Sequence, residues 1–243
     1  MAHKNSIFIQ TFKIIRPHQW VKNILVFIPM LVSHNFDLDN FIFSIKSFII
    51  FSLTASAIYV INDMIDEKND RNHPYKKNRP LAAKLITINQ CKVIIFILLI
   101  LSTFFLLDTN KSFFYLIILY FITSNLYTFF LKKLKIVDLV ILSFLYTLRI
   151  LGGGLITDIS ISSWLFTFSV FFFISLASVK RLTEMINAKK YKKEKIYGRG
   201  YTIKDKKLIN IVAITSGLIS ILVLTLYINS PQVLELYSFS NIL

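Results

Sequence analysis

The sequence predicts an all-α fold, a polytopic transmembrane helix bundle of about seven spans forming one domain over residues 1–243, and three observations predict it. The composition is 55% apolar, with 23 Phe and only 17% charged residues, which is too apolar for a soluble domain of this length. Apolar stretches recur along the chain, most of them close to the roughly 20 residues a helix needs to cross hydrocarbon. Basic residues fall in every second connection between those stretches, as they do when Lys and Arg are retained on the cytoplasmic side. Six Gly and five Pro leave few interruptions. The lone Cys91 excludes an internal disulfide and leaves a thiolate metal site without partners.

The first apolar stretch, 24–33, reaches full length only if its helix begins near Ile14 and accommodates Pro17 and Pro29. No small-residue cleavage site follows it and more spans come later, so a signal peptide is not expected. Just before it stands RPHQWVKN, Arg16 to Asn23. Trp20 is placed as an interfacial anchor, and Arg16 and Lys22 suit snorkelling toward head groups. Lys22 and Asn23 are equally well placed to hold a lipid phosphate at the membrane surface.

The second stretch, 41–61, leads into the polar run NDMIDEKNDRNHPYKKNRPLA, Asn62 to Ala82. A helix that persists through this run sets Asp63, Asp66 and Asp70 within about 60° of one another on one face. Converging carboxylates repel unless neutralised, which suits Mg²⁺, an ion that keeps water and phosphate oxygens beside one or two carboxylates. His73-Pro74 should end the helix, because proline disfavours helical geometry in the residue before it. Lys76, Lys77 and Arg79 then supply cations for phosphate. Carboxylates for metal beside cations for phosphate is the pairing a diphosphate requires. The bland alternative is a solvated polar loop.

Stretches 93–107 and 112–131 are uniformly apolar, and the turn Lys132 to Lys135 follows the second of them. The fifth, 136–156, carries Asp138 and Arg149. An arginine at bilayer depth costs about 2.5–3.5 kcal/mol on insertion scales and marks a functional candidate. Asp138 lies three turns and about 16 Å away on the same face, so the two suit one cavity but not direct contact. Gly152 to Gly154 suit close helix packing. The sixth stretch, 163–179, opens a loop with Lys180, Arg181 and Glu184, then Arg199 and Tyr201. A surface ion pair between Lys180 and Glu184, four residues apart, is the bland alternative there. The seventh, 208–228, precedes a polar tail from Asn229.

The N-terminal segment, the loops 62–92 and 180–207 and the turn 132–135 hold 25 of the 28 Lys and Arg. The positive-inside rule therefore puts the N-terminus and these loops in the cytoplasm and the C-terminus outside, in the plasma membrane. The net charge of +15 needs no nucleic-acid partner.

The string NDxxDxxxDxxHPxKxxRPxA, Asn62 to Ala82, resembles the first aspartate-rich motif of the UbiA superfamily of intramembrane prenyltransferases. RPHQWVKN, LRILGG at Leu148 to Gly153 and KRLTE at Lys180 to Glu184 resemble its decaprenyl-phosphate phosphoribosyltransferase branch. Aromatic prenyltransferases of the superfamily carry a second aspartate-rich motif after the sixth helix, where this chain has Lys180-Arg181 and a lone Glu184. That departure argues against a prenyl diphosphate donor. The resemblance also implies nine helices where this sequence shows seven.

What the resemblance implies is a transferase that moves a 5-phosphoribosyl group from phosphoribosyl diphosphate to a polyprenyl phosphate. Mg²⁺ is its cofactor, on Asp63, Asp66 and Asp70. Arg79, Lys180 and Arg181 would hold donor phosphates, with Asn62, Lys76 and Asp138 also lining the substrate. Lys22, Asn23 and Arg149 would serve the acceptor phosphate, and Glu184 the metal or the ribose hydroxyls. The membrane lipid is a further partner, and a homo-oligomer is compatible with the sequence. Two alternatives are an aromatic prenyltransferase sharing the aspartate motif and a transporter or non-catalytic membrane protein in which Arg149 couples or packs.

Overall fold

The computed structural model describes residues 7–72, 75–190, 198–230 and 233, with the side chains of 189 and 190 outside that description. Every regular element among these residues is helical. The order is α1 (Ile7–Ile15), α2 (Ile28–Val32), α3 (Leu38–Arg71), α4 (Ile88–Leu106), α5 (Lys111–Phe129), α6 (Val137–Ile156), α7 (Ser163–Lys190) and α8 (Lys206–Ile228). Six of them, α3 to α8, are long and apolar enough to cross a membrane. The chain is a multi-pass membrane protein, and six of the seven apolar stretches read from the sequence are helices of the required kind.

The first stretch is built differently from the expected helix beginning near Ile14. The chain breaks at Arg16, which adopts φ 54° and ψ 60°, and continues as a 3₁₀ helix from Pro17 to Phe27 before α2. Such long 3₁₀ runs are uncommon, and the packing supplies a reason for this one. Trp20 Nε1 donates to Ser56 Oγ at 2.9 Å, and Asn23 Nδ2 donates to Ser52 Oγ at 2.9 Å. Three residues of 3₁₀ helix rise about 6 Å, as do four residues of α-helix, so every third side chain here meets every fourth on α3. Val26, next in the series, is fully buried. A Cβ on Gly153 would lie 2.0 Å from the Val26 carbonyl oxygen, so only glycine lets α6 approach this backbone.

This segment runs antiparallel along α3. Arg16 meets Asp63 near one end, and residues 33–37 lead into Leu38 at the other, about 38 Å away at 1.5 Å per residue. The 3₁₀ run and α2 together rise about 30 Å, the thickness of hydrocarbon, where 16 α-helical residues would reach about 24 Å.

Two of the expected loops begin as helix. At 34 residues α3 is about 51 Å long and overshoots the hydrocarbon, carrying the aspartate run with it. A Glu67–Arg71 pair four residues apart and Lys68 in the last turn support that extension. The helix ends at Arg71, and His73 and Pro74, read as its stop signal, lie outside the described residues. Likewise α7 extends through Lys180 to Lys190.

By compactness the chain divides into one unit of Met1–Asn125 with Leu148–Ser160 and another of Leu126–Thr147 with Ile161–Leu243.

Candidate functional site

In the first unit the aspartate run meets the loop that follows it. After Tyr75 the chain makes a short turn and folds back, with Ala83 N–H donating to the Arg79 carbonyl and Leu85 N–H to the Pro80 carbonyl. Leu81 and Ile86 pin the loop into an apolar cluster with Ile14, Val60 and Cys91. Thr87 and Gln90 cap α4 reciprocally and stop the loop there. Arg79 is thereby returned to α3, where its Nη1 donates to Asp70 Oδ2 at 2.5 Å and to Asp63 Oδ1 at 3.1 Å. Carboxylates two helical turns apart converge on one nitrogen.

Arg16 also pairs with Asp63 and lies over the Tyr59 ring, 5.4 Å from its centroid. Lys76 Nζ is 3.9 Å from Asp70. Asp63 and Asp70 are each 2% exposed, and Asp66 is half-buried between them in sequence. Two oxygens stand apart from this pairing. Asp63 Oδ2 and Asn62 Oδ1 are buried and accept no hydrogen bond among the described residues.

Adjacent carboxylate and amide oxygens are the hard donors Mg²⁺ takes, and the ion completes its shell with water and substrate phosphate. The residues present fit that ion. No three His, Cys, Asp or Glu gather into a complete metal cage among the described residues. Of the expected trio, Asp63 and Asp70 are brought together by Arg79, and Asp66 lies between them in sequence.

Arg149 lies in the same unit and is 5% exposed. Its Nε donates to Asn23 Oδ1 at 2.7 Å and its Nη2 to Tyr120 Oη at 2.8 Å, with the guanidinium 5.0 Å from the Tyr120 ring centroid. Asn23, 1% exposed, is held from its other end by Ser52. The insertion cost of this arginine is offset by hydrogen bonds and ring contact in the protein interior. Lys22, next to Asn23, is half-buried.

The second unit holds a separate cluster. Arg181 is fully buried and grips Asp138 with Nε and Nη2 at 2.9 and 3.1 Å, while Nη1 pairs with Glu184. Asp138 Oδ1 also accepts from Tyr127 Oη at 2.8 Å and from Arg199 Nη1 at 2.9 Å. For Arg181 and Asp138 the placement differs from the expectation of direct substrate ligands, because their polar atoms already serve one another. Lys180 is exposed, and Glu184 and Arg199 are partly so, at 32% and 18%.

Arg199 arrives through a strap. Gly200 packs on the Lys133 carbonyl, where a Cβ would come within 1.9 Å, and Tyr201 accepts from the Ile136 N–H at 2.9 Å. Burial holds the Tyr201 phenol above its ordinary range. Burial opposes the Arg199 charge, but Tyr127, Asp138 and Glu184 outweigh it and hold the guanidinium above its ordinary range.

Sequence reasoning overlooked Arg16 as a partner of Asp63, Tyr120 as the hydrogen-bonding partner of Arg149, and Tyr127 as that of Arg199 and Asp138. The one usable signal was charge balance, since three carboxylates require nearby cations beyond the loop's own.

The model of the UbiA prenyltransferase family matches residues 23–239. Nodulation protein NoeC of Azorhizobium caulinodans is 31% identical over 90% of this chain and 72% of its own length. Decaprenyl-phosphate phosphoribosyltransferase of Mycobacterium tuberculosis is 30% identical over 71% of this chain and 59% of its own. The chain spans 44% to 72% of the length of these and another relative. In fold it is similar to a UbiA homolog from Archaeoglobus fulgidus bound to DMAPP and Mg²⁺, with TM-score 0.75 and 15% identity over 92% of this chain and 80% of that one.

Proposed function

The chain belongs to the UbiA prenyltransferase family and is a membrane-embedded transferase, and on that premise we propose that it moves a 5-phosphoribosyl group from phosphoribosyl diphosphate to a polyprenyl phosphate, releasing pyrophosphate. The observation that carries this reading is the sign of the second unit's cluster. Lys180, Arg181 and Arg199 outnumber Asp138 and Glu184 there. A donor bearing an extra sugar phosphate favours such a surplus of cations, whereas a second metal-bound diphosphate contact would favour carboxylates. Likeness to the mycobacterial phosphoribosyltransferase supports the same choice.

Bound Mg²⁺, held by Asp63 and Asn62 with Asp66 and Asp70, would supply positive charge to the departing pyrophosphate. Arg79 and Lys76 donate to the diphosphate oxygens from the loop after α3. Within the second unit, Lys180 and Arg199 offer donors of the kind a sugar phosphate takes, and Glu184 offers an acceptor of the kind ribose hydroxyls meet. Arg181 acts as a positioning residue, fixing Glu184 and Asp138 by a bidentate grip. Lys22 meets the acceptor phosphate, and Arg149 orients the adjoining Asn23. An acceptor phosphate is anionic at neutral pH, so positioning in line with the leaving group does most of the work without a strong base. The acidic cluster and basic loops face the cytoplasm from the plasma membrane, with the N-terminus on that side and the C-terminus outside.

A prenyl diphosphate donor is the second reading, because Asp63, Asp70 and Arg79 would serve that diphosphate equally well. Membranes carrying the protein are incubated with labelled phosphoribosyl diphosphate, polyprenyl phosphate and Mg²⁺. A parallel tube holds labelled prenyl diphosphate and 4-hydroxybenzoate. We expect label in a new phosphoribosyl lipid in the first tube alone and its loss with EDTA. A labelled prenyl-aromatic product in the second tube alone overturns the proposal.

A further inference from the structure

We propose that α1 is an interfacial foot seated in the lipid boundary, and that its seating holds Arg16 on Asp63. Phe8 and Phe12, four residues apart on one face of α1, are 76% and 57% exposed. Gln10 and Ile14, four apart on the opposite face, are buried. The outward face is thus the more apolar one, with exposed Lys13 at its edge and no acidic residue in the helix. Aromatic side chains flanked by a cation are the pattern of a helix lying in an anionic membrane surface.

The level of α1 on α3 points to the same occupant. The apolar part of α3 ends at Ile61, and the chain at the end of α1 is fixed beside that boundary. Ser56 Oγ donates to the Ile15 carbonyl at 2.9 Å, and Ile14 is buried against Val60. The outward Phe pair therefore continues the lipid-facing surface of the spans to its rim. Exposed Phe at that height meets the acyl-to-headgroup boundary, where the apolar face of an interfacial helix seats its Phe side chains.

From this foot the chain passes directly into Arg16. Its left-handed backbone is unfavourable for a non-glycine residue and persists where surrounding contacts over-determine it. Those contacts are the Asp63 ion pair, the Tyr59 ring and the Ser56 bond to Ile15. Unseating Phe8 and Phe12 removes a further restraint on the N-terminal side. The lipid contact stands apart from the proposed reaction, and only the value of holding Asp63 rests on it.

The test uses the full chain in nanodiscs of phosphatidylcholine with phosphatidylglycerol. Phe8→Cys carries a bimane label, buried Cys91 stays unlabelled, and Tyr75→Cys serves as an exposed control. We expect lipid bearing a nitroxide near the headgroup to quench the label at position 8 at least twofold. Iodide should quench it less than a third as strongly as at position 75. Strong iodide quenching without lipid quenching overturns the proposal. So does protection from both quenchers that disappears in nanodiscs holding one copy, which assigns the face to a second chain. The coupling is read by melting temperature in the same discs. Phe8→Ser/Phe12→Ser combined with Arg16→Ala should lose clearly less than the sum of their separate losses, and strict additivity overturns the link. Neither readout needs catalysis, so failure of the transfer assay leaves both intact.

Discussion

Arg79 ties Asp63 to Asp70 through a single nitrogen, and that geometry makes a sharp demand on its side chain. Lysine carries the charge but not the planar fork, and its ammonium sits at the end of a flexible stem. Arg79→Lys should therefore lower label transfer roughly 10- to 100-fold, about 1.4–2.7 kcal/mol of transition-state stabilisation, while leaving the melting temperature within a few degrees. A fall in melting temperature that matches the loss of transfer would make Arg79 structural only. The buried Asp138–Arg181 pair should respond in the opposite way. Removing one member strands a charge in the interior, at about 3–5 kcal/mol. Asp138→Leu should melt far below the parent in detergent, and adding Arg181→Met should recover a substantial part of the loss. Equal and additive losses would show that the two side chains do not act as a unit.

At the scale of elements, the run from Pro17 to Val32 is held by register, Trp20 and Asn23 against Ser56 and Ser52, and by the glycine on α6 that lets its backbone in. Gly153→Ala forces a methyl group against the Val26 carbonyl, and backbone cannot swing aside as a side chain can. Overpacking of this kind costs about 1–3 kcal/mol. We expect a lower melting temperature, with no comparable effect from Ser160→Ala at an exposed site. The same run shows where sequence stopped being legible. Hydropathy located the apolar stretches of α3 to α8, because lipid imposes length and composition on every span. The 3₁₀ geometry was invisible, because it comes from matching rises on two different helices rather than from any local preference. Arg16 was misjudged for a related reason, since a left-handed arginine has no sequence signature. The aspartate face on α3 was legible because helical spacing alone puts Asp63 and Asp70 on one side. The fold-back that delivers Arg79 depends on Leu81 and Ile86 finding a remote pocket.

For the whole molecule the testable quantity is the side of the membrane on which each connection lies. Among the described residues six helices are long and apolar enough to cross, and the broken N-terminal segment adds a seventh run of sufficient rise. Arg16 meets Asp63 while Leu38 begins the same helix at its other end, so the segment between them must travel the length of α3. Its rise of about 30 Å suffices for the hydrocarbon. Residues 7–15 therefore lie by the same end of α3 as the aspartate run, and Phe36 lies by the other. The distribution of Lys and Arg predicts that this shared side is cytoplasmic. Cysteines introduced at Phe36 and Ser160 should react with a membrane-impermeant maleimide in intact cells. Cysteines at Lys77 and Lys133, and an N-terminal epitope tag, should be reached only after the membrane is opened. The reverse pattern would invert the orientation and put the aspartate run away from the cytoplasm. A tag accessible together with Phe36 would mean that the N-terminal segment fails to cross, contrary to what the Arg16–Asp63 pairing predicts.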